Sequence, residues 1–271
     1  MSEQDQTPEA AAETAEQIVD DQPETPAEPG WRRFDVAADT SGALSAAQAT
    51  IATGECIVLP TDTVYGIGAD AFSSAAVQGL LDAKRRGRDM PPPVLVAETG
   101  MLEALADDLP SHALRLAEEF WPGALTLIVP AQKHLRMDLG ETRGTIAVRV
   151  PDHDFTRDLL RRTGPLAVSS ANVSGQPAST TIDAAIEQLG GAVEVFLDAG
   201  PTPDATPSTI VDFVSEPLGK VVRMGAIGME QLRAVNPFIV GEDEDEDDQP
   251  DGQDAQGGPV TDDTGDEDTA N

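Results

Sequence analysis

The sequence predicts a single α/β domain, a twisted mixed sheet flanked by helices. Two observations support this fold class. From residue 54 onward, short β-rich runs alternate with stretches of helical periodicity, which is the rhythm of an α/β domain. Most strand candidates are apolar along nearly their whole length, as strands covered on both faces are. About 210 residues of this kind are ample for one hydrophobic core.

Eight short runs rich in Val, Ile and Leu are predicted to form the strands. They cover residues 55–60, 93–97, 124–130, 145–150, 165–170, 193–198, 208–213 and 220–224. No helical pattern separates the third run from the fourth, or the seventh from the eighth. Helices and strands therefore do not alternate strictly, and the sheet should be mixed rather than uniformly parallel.

Three helices are predicted from apolar residues that recur at helical spacing. The clearest pattern covers residues 182–189, with Gly190 placed to terminate the helix. A second helix is predicted over residues 113–121, where Pro122 stops it. A third covers about residues 155–162.

A fourth helix is predicted just before residue 87 because Val77, Leu80 and Leu81 are spaced to face a core. Lys84 is the next position on the same stripe, so its side chain should point along the buried side. Gly87 is expected to end this helix. The stretch therefore places a lysine where an apolar residue would be usual.

The two ends of the chain differ from the middle in charge. Residues 1–30 contain nine acidic residues, residues 241–271 contain fourteen, and neither segment contains a basic one. Both are built largely from Glu, Asp, Gln, Pro, Thr, Gly and Ala, which offer little apolar surface to offset chain entropy. They are predicted to be disordered acidic tails. The domain is assigned to residues 31–240, whose net charge is −9.

Composition also disfavours several classes of protein. A net negative domain lacks the basic face that bulk nucleic-acid binding requires. Cys56 is the sole cysteine and lies in an apolar run, so it is interpreted as a buried small hydrophobe. The chain has no signal-peptide pattern and no apolar run of about 20 residues, which predicts a cytoplasmic protein without a membrane span. The three histidines lack metal-site spacing, and neither a phosphate loop nor a G-x-S-x-G elbow is present.

Four cations occur within five positions of this acidic chain: Lys84, Arg85, Arg86 and Arg88. Cations in a last helical turn are favoured by the helix dipole, and this explains Arg85 as a solvated residue. It does not explain a lysine on the apolar stripe or arginines flanking a glycine. For those three residues an anion-binding site is the favoured hypothesis.

Two strand ends and two strand arginines are further candidates. Residues 60–71, with two close glycines, are interpreted as a turn, while residues 167–175 are either a ligand-binding strand end or an ordinary Ser/Asn-rich turn. Arg149 and Arg223 interrupt apolar strands. Because a buried guanidinium without an anion is costly, each should meet a carboxylate from the protein or from a ligand.

Seven motifs in order resemble the YrdC/TsaC family of threonylcarbamoyl-AMP synthases. They are PTDTVYGIGADA, Lys84-Arg85-Arg86, FWPGALTLIVP, TIAVRVP, SSANVSG, PSTIVD and VVRMGAIG, and the resemblance spans about residues 34–233. It implies a short, single-domain nucleotidyltransferase with a concave, positively charged cavity. Its reaction would combine L-threonine, bicarbonate and ATP into L-threonylcarbamoyl-AMP and pyrophosphate, for modification of the tRNA adenosine next to the anticodon.

The resemblance also implies roles for individual residues. The catalytic pair would be Lys84 and Arg86, which hold the triphosphate. Contacts with L-threonine would come from Thr61, Arg149 and Ser208. The ATP site would comprise Lys84, Arg86, Arg88, Thr145, Ser170, Asn172 and Arg223. Arg88 enters because Gly87 and Met90 stand where many members have Pro and Asn, and Gln176 replaces a frequent Arg.

The resemblance further implies Mg²⁺ bound with ATP, although the sequence shows no metal-ligand motif. The implied partners are the proteins that transfer the threonylcarbamoyl group to tRNA, with a weak direct tRNA contact left open. The alternative function is a non-catalytic tRNA or double-stranded RNA-binding module of the same fold. The negative net charge of the domain argues against this alternative.

Overall fold

The structure, a computed structural model, describes residues 30–242. The two predicted acidic tails fall almost entirely outside the described residues, so their disorder stays a prediction. The strands are β1 (Arg32–Asp35), β2 (Ile57–Leu59), β3 (Gly66–Asp70), β4 (Val94–Leu95), β5 (Leu125–Pro130), β6 (Thr145–Arg149), β7 (Leu166–Ser170), β8 (Val195–Asp198), β9 (Thr209–Asp212) and β10 (Lys220–Arg223). The helices are α1 (Thr40–Ala52), α2 (Ser74–Ala83), α3 (Leu102–Leu105, after a 3₁₀ turn at Thr99–Met101), α4 (Ser111–Phe120), α5 (Asp154–Thr163), α6 (Ile182–Leu189) and α7 (Met229–Val235).

All ten strands form one mixed sheet in the order β1-β8-β2-β3-β7-β4-β6-β5-β9-β10. Four neighbouring pairs are parallel: β1/β8, β8/β2, β4/β6 and β5/β9. The remaining pairs are antiparallel, including β5/β6 and β9/β10, which no helix separates. The predicted mixed α/β sheet, its eight strands and its four helices are therefore confirmed.

Side chains alternate between two apolar layers, one on each face of the sheet. The larger layer lies under α2, α4, α6 and α7 and receives residues such as Val58, Phe196 and Val148. The smaller layer lies under α1 and α5 and receives Ile57 and Leu197. Successive side chains of a strand point to opposite faces, so β2 and the first three residues of β8 are apolar on both faces. Beyond α1 and α5, the second face of the sheet is left free for a cavity.

Strands β1 and β3 are not among the predicted strands, and each has a physical reason for lacking an apolar pattern. Residues 60–71 were interpreted as a turn, but Gly66–Asp70 is strand β3, so this interpretation is wrong for its second half. Glycine is uncommon in strands, yet here neighbouring side chains demand it: a Cβ on Gly66 would lie 2.6 Å from Cγ1 of Val168. Strand β1, with the sequence RRFD, is a polar edge strand with no apolar pattern to reveal it.

Helix α2 ends earlier than Gly87, which corrects the predicted terminator. Lys84 is the C-cap, and Arg85 adopts a left-handed conformation with φ 53°. The amide of Arg86 donates to the carbonyl of Leu81, and that of Arg85 donates to Asp82, both at 2.9 Å. These two bonds define a Schellman motif with arginine at the position that glycine usually occupies. Arg85 is exposed, as expected for a solvated residue.

No helix among residues 30–242 is long and apolar enough to cross a membrane. Cys56 is buried, as predicted, and burial raises the pKa of its thiol to about 12.

Replacing Arg85 with glycine should stabilise the domain. A non-glycine residue in the left-handed conformation costs roughly 1–2 kcal/mol. Glycine removes this cost but loses more backbone entropy on folding, which offsets part of the gain. Arg85→Gly should therefore raise the free energy of unfolding by about 0.5–1 kcal/mol. Urea unfolding followed by circular dichroism measures the gain. Arg85→Ala is the matched control, because it removes the same charge but keeps the strain. Equal stabilities for the two variants would show that residue 85 is not strained.

Candidate active site

A cavity of about 400 Å³ opens on the sheet face that α1 and α5 leave uncovered. Alternate residues of the strands form its floor: Thr126 and Ile128 from β5, and Ala147 and Arg149 from β6. Their sequence neighbours, such as Val148, point into the larger apolar layer instead. The loop after α2 and the ends of β7 and β9 complete the walls.

Three guanidinium groups line this cavity, from Arg86, Arg149 and Arg223, and no carboxylate is among the lining residues. Burial lowers the pKa of all three arginines. For Arg223 the nearby charges of Arg149 and Arg86 lower it further. Like charges drawn together in a partly desolvated space suit an anionic ligand.

Arg86 is positioned by the turn that ends α2. Its Nη1 donates to Oγ of Ser169 at 3.1 Å, whereas its buried Nε has no hydrogen-bond partner among the described residues. A buried donor without a partner is costly unless a ligand supplies an acceptor. Arg86 therefore has donor capacity left for an anion in the cavity.

Arg149 is deeply buried and held from three directions. Its Nε donates to the carbonyl of Gly123 at 2.9 Å, and its Nη1 donates to Oγ1 of Thr63 at 3.0 Å. Its Nη2 lies 2.6 Å from Oδ1 of Asp62, forming an ion pair. The sequence left open whether the carboxylate that meets Arg149 comes from the protein or from a ligand. In the structure the protein supplies one, from Asp62.

Arg223 takes no carboxylate partner from the described residues. Its Nη2 donates to the carbonyl and the hydroxyl oxygen of Ser208, at 2.6 and 3.1 Å. The Ser208 hydroxyl lies 2.8 Å from Oγ1 of Thr126, so one of these two hydroxyls donates a hydrogen bond to the other. Arg223 is thus fixed by neutral groups and keeps its positive charge uncompensated at the cavity wall.

Lys84 is buried as predicted but does not line the cavity. Its Nζ donates to the backbone carbonyls of Ser170 and Asn172, the latter at 2.7 Å. The backbone amide of Ser174 donates to the Lys84 carbonyl at 2.8 Å. Desolvation, followed by the charge of Arg86, lowers the pKa of Lys84 to about 8. Lys84 therefore ties the end of α2 to the loop after β7.

The end of β7 brings Ser170 and Asn172 to the cavity. The Asn172 amide nitrogen donates to the carbonyls of Val173 and Gln176, at 2.9 and 2.8 Å. Its buried Oδ1 has no hydrogen-bond partner within residues 30–242. An unpartnered acceptor on a residue that lines a cavity suits a ligand that donates N–H or O–H.

Seven of the ten predicted site residues line the cavity: Thr61, Arg86, Arg149, Ser170, Asn172, Ser208 and Arg223. The other three lie elsewhere. Arg88 forms an ion pair with Asp138 and donates to Gln78 at 3.0 Å. Thr145 donates to the carbonyl of Thr142 at 2.8 Å and lines a separate cavity. ATP contacts by Arg88 and Thr145, and phosphate binding by Lys84, stay predictions.

Several polar residues at the site were given no individual role from the sequence, among them Asp62, Thr63, Thr126 and Ser169. Thr126 is a lone polar residue in an apolar run, as Arg149 is, and that same signal identifies it. Asp62 and Thr63 lie beside Thr61, but their contact with Arg149 joins positions 86 or more residues apart. Sequence periodicity carries no information about such a contact.

The cavity offers no protein site for Mg²⁺. Magnesium prefers carboxylate and water oxygens, and the cavity lining contains no Asp or Glu. Within residues 30–242 no group of three or more His, Cys, Asp or Glu side chains is placed to hold a metal ion. The cavity therefore fits a metal that arrives on a ligand, not one held by the protein.

Comparison with known proteins agrees with this geometry. The family model Sua5/YciO/YrdC, described as telomere recombination, matches residues 49–225. The chain belongs to this family. A Mycobacterium leprae protein named "Putative threonylcarbamoyl-AMP synthase" is 48% identical over 192 residues, which are 71% of this chain and 87% of that protein. The threonylcarbamoyl-AMP synthase of Bacillus subtilis is 37% identical over 195 residues.

The fold has a solved relative as well. The structure of Pyrococcus abyssi Sua5 complexed with L-threonine matches with a TM-score of 0.69 and 34% identity, covering 73% of this chain and 58% of that one. The Bacillus subtilis match covers 71% of this chain and 56% of that protein. This Sua5/YciO/YrdC chain thus spans little more than half of these two longer relatives.

The lowered pKa of Lys84 predicts a pH-dependent stability. Between about pH 8 and its ordinary value of 10.5, the unfolded state binds more protons than the folded state. The contribution of Lys84 to the unfolding free energy should therefore rise with pH across this window. Urea unfolding of the wild type and of Lys84→Met at several pH values measures this. A stability difference that is constant from pH 8 to 10.5 would contradict the shift.

Proposed function

We propose that this protein is an L-threonylcarbamoyladenylate synthase, a nucleotidyltransferase that forms threonylcarbamoyl-AMP and pyrophosphate from L-threonine, bicarbonate and ATP. The observation that carries the proposal is the carboxylate-free cavity with three guanidinium groups. All three substrates that would enter it bear negative charge: threonine has a carboxylate, bicarbonate is an anion and ATP has a triphosphate. The names of the relatives and the threonine complex of the Pyrococcus abyssi protein support the same activity.

The buried Arg149 is proposed to receive the threonine carboxylate, with Thr61 and Ser208 beside it. Arginine presents paired donors that match a carboxylate, and burial strengthens such charge-assisted hydrogen bonds. The hydroxyls of Thr61 and Ser208 line the same cavity and supply neutral donors and acceptors. This arrangement would fix the amino group of threonine at one place in the cavity.

The triphosphate of ATP is proposed to lie against Arg86 and Arg223, with Ser170 and Asn172 contacting the nucleotide. Arg86 and Arg223 both retain charge that no protein carboxylate in the cavity neutralises. The unpartnered Oδ1 of Asn172 offers an acceptor for a donor group of the nucleotide. Mg²⁺ is proposed to enter as part of the ATP substrate, coordinated by phosphate oxygens and water.

In the proposed reaction the protein acts by positioning the substrates and by stabilising negative charge. The threonine nitrogen bonds to the carbon of bicarbonate, which loses water and leaves a carbamate. A carbamate oxygen attacks the α-phosphorus, and the bond to pyrophosphate breaks. Arginines aimed at the phosphates stabilise the negative charge that develops in this step. No described side chain has to act as a covalent intermediate.

The product is proposed to pass to proteins that transfer its threonylcarbamoyl group to tRNA in the cytoplasm, where ATP and tRNA occur together. The second candidate, a non-catalytic RNA-binding module, has less support. A duplex or tRNA contacts an extended basic surface, whereas these arginines line a concave cavity in which Arg149 is buried and Arg86 is half-buried. A weak tRNA contact would leave the catalytic proposal intact.

Mass spectrometry of the reaction product tests the proposal directly. With ATP, bicarbonate and L-threonine together, threonylcarbamoyl-AMP should form, and omission of any one substrate should abolish it. Pyrophosphate release should show the same dependence. A gel-shift assay with tRNA covers the alternative: tight, salt-sensitive binding without any product would favour the RNA-binding module.

Arg86→Ala should lower kcat/KM for ATP by about 10²–10³-fold, because one preorganised donor to the reacting phosphates is lost. Pyrophosphate release under limiting ATP measures the effect. Arg85→Ala is the matched control, since Arg85 is the adjacent cation but is exposed outside the cavity. Full activity in Arg86→Ala would remove the phosphate role of Arg86.

A further inference from the structure

Asp62 lies at the boundary between the cationic cavity and a second one. It is absent from the lining of the cationic cavity and instead lines an adjoining cavity of about 510 Å³, together with Asp152 and His153. Thr61 lines both cavities. The Asp62 carboxylate thus contacts Arg149 from the side of the second cavity.

The contacts of Arg149 show what Asp62 does there. A guanidinium has five N–H donors, and three of those of Arg149 are engaged, by Gly123, Thr63 and Asp62. These partners come from two separate loops, one after α4 and one between β2 and β3. Three anchors around one planar group fix both its position and its rotation. The two remaining N–H donors have no hydrogen bond among the described residues.

Asp62 is the one anchor that carries charge. The Arg149 side chain is 7% exposed and that of Asp62 is 14% exposed, so the pair is shielded from water. Burial lowers the pKa of Arg149, and the charge and hydrogen bond of Asp62 oppose that shift. Without Asp62, a buried guanidinium would face two neutral oxygens and the like charge of Arg223.

We infer that Asp62 is a positioning residue for the amino-acid substrate: it fixes the orientation of the Arg149 guanidinium and leaves two of its donors for the substrate carboxylate. This inference rests on the proposed function. Asp62 acts through Arg149 and touches no ATP-site residue among its hydrogen bonds and ion pairs. Its effect should therefore fall on threonine and leave ATP unaffected.

Isothermal titration calorimetry of the full chain with L-threonine and, separately, with ATP tests this inference. Asp62→Ala should raise the dissociation constant for threonine about 10–100-fold, the scale of one charge-assisted hydrogen bond. Asp62→Asn keeps an acceptor of the same shape and should recover part of this loss. The dissociation constant for ATP should change less than about twofold in both variants. Asp152→Asn, an exposed carboxylate in the same second cavity, should behave as wild type.

A double-variant cycle separates positioning from a general structural role. In an Arg149→Met background, Asp62→Asn should produce no further loss of threonine affinity, because its target is gone. Equal weakening of threonine and ATP, or additive effects in the cycle, would overturn the inference. If Asp62→Ala does not fold, Asp62→Asn and the cycle still decide.

The wild type distinguishes this inference from the function on which it rests. A wild type that neither binds threonine nor forms threonylcarbamoyl-AMP would overturn the proposed function and the inference together. If the wild type binds threonine and forms the product, the proposed function stands. Unchanged threonine affinity in both Asp62→Asn and Asp62→Ala would then overturn the inference alone.

Discussion

Every strand of the ten-stranded sheet has two faces to cover, and the chain supplies helices for both faces over only part of its width. One face is covered along nearly the whole sheet by the larger apolar layer. On the other face, α1 and α5 cover the half around β2 and β8. The remaining half, across β6, β5 and β9, carries Thr126, Arg149 and Ser208. The cavity is the consequence of this unequal coverage, because no helix of the described residues covers this half of the face and polar side chains interrupt its apolar ones.

Residues that line the cavity are held in place by two charged side chains that do not line it. Lys84 uses its ammonium to hold the backbone after β7, and Asp62 uses its carboxylate to hold Arg149. Neither group lines the cationic cavity, yet each orients residues that do. Asp62 offsets part of the charge of the buried Arg149, whereas Lys84 is itself a cation and acts by fixing the backbone of Ser170 and Asn172. These contacts fix residues that form a cationic site within an acidic chain.

Sequence periodicity predicted most of the fold because local apolar spacing reports burial directly. The eight apolar strands and the four patterned helices are present, with ends that differ by a few residues. What it missed shares one property: a local pattern that tertiary contacts override. Gly66 belongs to a strand because it pairs with Ser170 of β7, and Val168 leaves no room for a side chain there. Helix α1 is rich in Ala and Thr and has a weak apolar pattern.

The sequence by itself determined the fold class, the polar residues that interrupt apolar strands, and seven of the residues that meet in the cavity. Only the tertiary structure decided which cation faces the cavity. Lys84 and Arg86 are two residues apart, yet the left-handed turn at Arg85 sends one into the protein and the other to the cavity wall. It also decided that Asp62 pairs with Arg149, since that contact joins a loop and a strand that are distant along the chain. Such contacts depend on how the strands are ordered in the sheet, and local spacing does not encode that order.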